Sequence, residues 1–153
     1  MSYSVAGHQV RLASDASSCW LVDRDKTGVE KRHTLDVRPP CYLLTWIRQP
    51  PKRDAQGVSD GVAVGGVGDP MAFRYRAAGG TVAIGVLGDP PVRDPGPQSL
   101  YDARIKEGYH CAGGMQGVRF RGARVQVMKK HPWGMVCLEY PPEEKNFWMI
   151  AHD

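Results

Sequence analysis

Four cysteines, Cys19, Cys41, Cys111 and Cys137, constrain this 153-residue chain more than any other feature. Their number is even, they are far apart, and no C-x-x-C pair occurs. That pattern points to disulfides rather than to zinc, whose structural sites usually take closely spaced Cys or His pairs. Two bridges require an oxidising compartment, so the chain is expected outside the cytoplasm, in a periplasm or secreted. Its first residues, "MSYSVAGHQV", have neither a basic n-region nor an apolar h-region, so the expectation is that Met1 takes the place of a removed export signal. No apolar run approaches the ~18–20 residues of a membrane span.

Three pairings are open to four cysteines, and spacing alone does not choose among them. Turn signals favour the sequential one. "DRDKTGVEK" between Cys19 and Cys41, and "RFRGAR" between Cys111 and Cys137, bring their flanks together. Each loop so closed contributes about 3 kcal/mol in the chain-entropy account.

The length suits one domain over residues 1–153. With 18 Gly, 12 Pro and 42% apolar residues, short strands and many turns are favoured. "KRHTLDV" (31–37) alternates, with His33, Leu35 and Val37 on one face. "CYLLTWIR" (41–48), "TVAIGVL" (81–87) and "NFWMIA" (146–151) are apolar on both faces and read as buried strands, placing Trp46 and Trp148 in the core. Weaker strands are expected over 9–13, 19–24, 62–67, 72–77, 117–121, 124–128 and 135–140. One segment, "DPGPQSLYDARIKEGYH", opens with prolines and runs through helix formers to Gly108, which predicts a helix over 97–107. The fold class is mainly β or α+β: a curved antiparallel sheet or sandwich with that one helix and two disulfides.

No G-x-S-x-G, H-E-x-x-H, P-loop or dinucleotide fingerprint is present. Two Gly-Asp-Pro repeats put Asp69 and Asp89 after apolar strands, where a carboxylate pair is conceivable but Asp-Pro ordinarily starts a turn. His110–Cys111 and His131 with Cys137 offer a thiol–imidazole or zinc reading, which the even cysteine count opposes. His8, His33 and His152 have no ligand spacing and read as surface or strand residues. The glycine-rich runs "GVAVGGVG" and "YHCAGGMQG" read as bulges and tight turns. No catalytic residue, metal ligand or cofactor is assigned.

The net charge of +4 is mild, but the arginines are patterned. In "VRFRGAR" the pleat separates Val118 and Phe120 from Arg119 and Arg121, with Arg124 past the turn. "AFRYRA" repeats the arrangement with Arg74 and Arg76. Such rows are either an ordinary solvated face or a grip for carboxylates, which the planar guanidinium binds bidentately. Two further segments read as exposed loops. Residues 48–61 carry Lys52 and Arg53, and "KKHPWGM" (129–135) puts Trp133 between Pro and Gly, as an interface anchor or folded onto the core. These features suit a non-catalytic binding module, of the inhibitor or immunity-protein kind, that engages another protein with an acidic surface. A small extracytoplasmic hydrolase and a polyanion or nucleic-acid binder are the alternatives. The interspersed acids and the compartment argue against nucleic acid.

Overall fold

The computed structural model describes residues 1–51, 60–91 and 110–152, with only the backbone of 132–135. The helix expected over 97–107, and Lys52 and Arg53, lie outside the described residues.

The chain begins as an antiparallel meander of β1 (Tyr3–Val5), β2 (His8–Ser14), β3 (Cys19–Arg24) and β4 (Glu30–Thr34), which neighbour one another in that order. Local chemistry makes its turns. Ala6 and Gly7, at φ 49° and 82°, form the two-residue connection whose twist matches antiparallel strands. The Asp25 carboxylate accepts the Thr27 hydroxyl proton at 2.6 Å and the N–H groups of Thr27 and Val29 at 2.9 and 3.1 Å, closing the β3–β4 turn. The Thr27 hydroxyl bond, more than any other contact, holds that carboxyl below the usual range.

A second antiparallel sheet follows, with strands β6 (Gly61–Val64), β7 (Ala72–Tyr75), β8 (Thr81–Gly88), β9 (Cys111–Arg121) and β10 (Arg124–Cys137) in the order β10-β9-β8-β7-β6. β5 (Tyr42–Leu43) pairs with the end of β8 that β7 leaves uncovered, Leu43 opposite Val86 and Phe73 opposite Ala83. Beyond Leu43 the segment expected as a strand to residue 48 makes only short backbone ties: Leu44 N–H donates to Gly85 C=O at 3.0 Å and Trp46 N–H to Asp69 C=O at 2.9 Å.

β8 is buried along its whole length, as expected of a strand apolar on both faces. Val82, Ile84 and Val86 join Val118 and Phe120 against Val5, Val10, Leu21, Leu35 and Val37 of the first sheet and the segment after it. On the other side, Ala83 and Leu87 pack with Trp46, Phe73, Tyr75 and Met115 beneath one helix, α1 (Glu144–His152). The layers are therefore sheet, sheet and helix.

That helix corrects the expectation of a strand over 146–151. Phe147, Ile150 and Ala151, spaced i, i+3, i+4, are its buried residues, whereas Trp148 and Met149 are 41% and 39% exposed. A five-residue apolar run fits either period, and the deciding signals lay outside it: Pro141, Pro142 and the acidic first turn at Glu144. Trp46, by contrast, is buried as expected, 7% exposed, with its ring edge-on to Phe73 and its Nε1–H donated to Val64 C=O at 2.9 Å. The helix comes close to the sheet because Gly117 has no side chain; a Cβ there would collide with Ile150.

Candidate functional site

The disulfides are Cys19–Cys41 and Cys111–Cys137, the sequential pairing. No cysteine is free, which removes the thiol and zinc readings of His110–Cys111 and of His131 with Cys137. Among the described residues no group of three or more His, Cys, Asp or Glu is placed to hold a metal ion. His110 instead braces the end of β10: its Nδ1 lies 2.8 Å from Glu139, whose carboxylate also accepts the His110 backbone N–H at 3.0 Å. Partial burial works against the Glu139 charge, but these bonds outweigh it and hold the carboxyl below its usual range.

Asp69 and Asp89 are each engaged with partners of their own. Asp69 accepts the Gly66 N–H at 2.9 Å and shapes its own turn. Asp89, at φ 67°, accepts from the Arg38 N–H at 2.7 Å and from Lys130 Nζ at 2.8 Å, and its backbone C=O accepts the Gly113 N–H at 2.8 Å. Burial opposes its ionisation, and the bonds from Lys130 and Arg38 more than restore it, leaving the carboxyl below its ordinary range. Asp89 thus ties the segment before β5, the end of β8 and β10 to one another.

One ionisable cluster escaped the sequence reading. His8 is 3% exposed and Asp23 2%; His8 Nδ1 lies 2.5 Å from Asp23 Oδ1, and His33 Nε2 lies 2.9 Å from Oδ2. The second His8 nitrogen, Nε2, is 2.8 Å from the Gly122 carbonyl, and the ring packs 5.3 Å from Phe120. Both ring nitrogens of His8 thus face oxygen acceptors. Gly122, at φ 59°, opens the two-residue turn between β9 and β10, so this cluster pins the tip of that hairpin to the first sheet. Fifteen and ten residues separate the partners, and only strand register brings them together.

The β9 pleat separates Val118 and Phe120 from Arg119 and Arg121 as expected. Arg119 donates to Gln126 Oε1 from Nε at 3.0 Å and from Nη2 at 2.8 Å, and Arg121 donates from Nε to Thr81 Oγ1 at 2.8 Å. Arg124, directly opposite Arg121, completes a cleft of about 130 Å³ lined by Arg119, Arg121, Arg124 and Gln126. Arg74 is not part of it. Register places Arg74 in the row of Val82 and Phe120, on the opposite face of the sheet from Arg119 and Arg121, and Arg76 has left the strand for a 3-10 turn. Arg74 and the arginines of β9 thus belong to separate surfaces.

"KKHPWGM" is not a loop. It lies within β10, which pairs as Pro132 with Gly114 and Val136 with Ala112, with a bulge between that carries Trp133. A proline is tolerated here because β10 is the sheet edge. The hairpin tip is Gly122–Ala123, so Trp133 sits near the disulfide base, roughly 25–30 Å along the strand from Arg124 at about 3.3 Å per residue. Its side chain lies outside the described residues.

The exposed aromatic near the arginines is a different one. Trp148 stacks on His152 with ring centroids 4.2 Å apart, and His152 meets Tyr75 edge-on at 5.5 Å. Tyr75 is paired across the sheet with Thr81, the residue that holds Arg121. Stack and cleft therefore share the helix side of the second sheet, and a helical reading of 144–152 would have exposed the stripe Lys145, Trp148, Met149 and His152. A separate groove of about 360 Å³ is lined by Trp46, Ile47, Arg48, Met71 and Tyr140, among others. Comparison with protein-family models, with curated proteins and with solved structures found no match.

Proposed function

We propose that this chain is a non-catalytic, extracytoplasmic binding module, of the inhibitor or immunity kind, that engages an acidic protein through the end of its β9–β10 hairpin. The observation that carries this reading is a hairpin fixed at both ends, by Cys111–Cys137 at the base and by His8 on Gly122 at the tip, with Arg119, Arg121 and Arg124 gathered around one cleft. A surface held in place before binding loses less conformational entropy on association. The neighbouring Trp148–His152 stack supplies an exposed apolar anchor of the type that dominates protein interfaces. Two disulfides fit an oxidising compartment, and among the described residues no helix is long and apolar enough to cross a membrane. For the hydrolase alternative, the Asp23–His8 pair among the described residues is sealed from solvent.

The oxidised protein, used as bait on secreted and envelope fractions of its source cells, identifies the partner by mass spectrometry. Calorimetry with the purified partner then compares wild type with Arg121→Glu/Arg124→Glu. A loss of about tenfold or more in affinity is expected, roughly 1.4 kcal/mol. Unchanged affinity removes the hairpin from the interface.

A further inference from the structure

We infer that the cleft at the hairpin end is a preformed receptor for a single carboxylate carried by the acidic partner. This rests on the binding role proposed above and names the group that the cleft takes.

The argument begins with Thr81. Its side chain is buried, with the residue 0% exposed, and its hydroxyl donates to Ala78 C=O at 2.5 Å, which leaves the oxygen's lone pairs as acceptors for Arg121 Nε at 2.8 Å. The Arg121 head is thus oriented through Nε by a neutral, buried oxygen, and its side chain lines the cleft. Gln126 accepts from Arg119 through Nε and Nη2 on one amide oxygen. Arg124 lies directly across the ladder from Arg121. Like charges facing one another across strands are unfavourable, and an anion between them relieves the repulsion while gaining bidentate hydrogen bonds.

Charge and placement select the occupant. Three arginines and one glutamine line the cleft, a cationic lining that suits an oxyanion group. A phosphodiester backbone needs a cationic track, but Arg74 is on the opposite face of the sheet and does not extend this cleft. One discrete acidic side chain meets these conditions.

The test titrates N-acetyl-tetraglutamate amide into the oxidised protein and follows the arginine Nε–H resonances by NMR. Inorganic phosphate and a dT oligonucleotide are run at equal ionic strength. Saturable shifts confined to Arg119, Arg121 and Arg124 are expected. Arg121→Lys preserves the charge but removes the fork, and it should weaken peptide binding about fivefold or more. Thr81→Val should weaken it with no charge altered, and Thr81→Ser should restore it; the amide spectrum reports whether each variant stays folded. Equal peptide binding by Arg121→Lys reduces the cleft to nonspecific attraction and overturns the proposal. So does tighter binding of phosphate or the oligonucleotide at the same resonances. Peptide binding at the cleft in a chain that captures no protein partner would sink the proposed function and leave the carboxylate site standing. A captured partner indifferent to Arg121→Lys and to Arg121→Glu/Arg124→Glu would do the reverse.

Discussion

The two disulfides close loops of similar length, 22 and 26 residues, yet they work in different settings. Cys19 is fully buried in the apolar layer between the sheets, and its partner Cys41 directly precedes β5, so this bridge fastens the first sheet to the second. Cys111 and Cys137 face one another across a single antiparallel ladder, at the base of one hairpin. Around the first lie buried contacts; around the second lie solvent-accessible pairs, His110 with Glu139 and Lys130 with Asp89. Chain-entropy arithmetic on loop length makes the two equal, at about 3 kcal/mol each. Placement in the fold makes one a fastener of layers and the other a local brace for the proposed binding surface.

The largest effects should fall on the buried side of this contrast. Asp23→Asn removes the carboxylate between His8 and His33, and breaking a buried pair of this kind costs about 3–5 kcal/mol, measurable by urea denaturation. A loss under about 1 kcal/mol would mean that the cluster does not fasten the hairpin tip. Trp46→Ala should cost about 3–5 kcal/mol by emptying a packed aromatic site against Phe73. Next come the bridges themselves. Replacing Cys19 and Cys41 by Ala should cost about 3 kcal/mol and accelerate amide exchange in both sheets. Replacing Cys111 and Cys137 should accelerate exchange chiefly in β9 and β10. Equal exchange patterns from the two pairs would erase the distinction.

Acid sharpens the comparison further. Glu139 and Asp89 are both held below their ordinary values of 4.5 and 3.8, and burial is overcome by the bonds to His110 and to Lys130 and Arg38. A carboxyl depressed in the folded state contributes stability above its ordinary value and loses it as pH falls through the folded one. Acidification below about pH 4 should therefore speed amide exchange at the hairpin base, and at the turns held by Asp15 and Asp25, before it affects the paired positions of β2 and β3. Simultaneous loss in both regions would contradict this. The smallest effect is expected at Trp148→Ala, under about 1 kcal/mol of stability because the side chain is exposed, with partner affinity falling instead.

What the sequence disclosed and what it withheld divide along similar lines. The cysteine pairing was legible because each loop carries its own turn chemistry, Asp25 to Gly28 in one and Gly122 in the other. β8 was legible because seven apolar or small residues in a row fit a strand covered on both faces. The 146–151 run reads as a strand because its five apolar residues have no unambiguous period; the information lies in the Pro-Pro-Glu-Glu before it. The sequence puts Trp133 on an exposed loop because His-Pro-Trp-Gly resembles a turn, whereas the ladder absorbs it as an edge bulge. The arginine alternation was readable from the pleat alone, but the separation of Arg74 from Arg121 onto opposite faces follows from register across three strands, which no local pattern encodes. His8, Asp23 and His33 were hidden for the same reason.

The central claim is that the hairpin end, with its arginine cleft, forms the binding surface. Hydrogen–deuterium exchange of the protein with and without its captured partner tests it most directly. The account predicts new protection over residues 119–126 and at the exposed end of α1. Protection confined instead to the Trp46–Ile47–Tyr140 groove, with 119–126 unchanged, would contradict it.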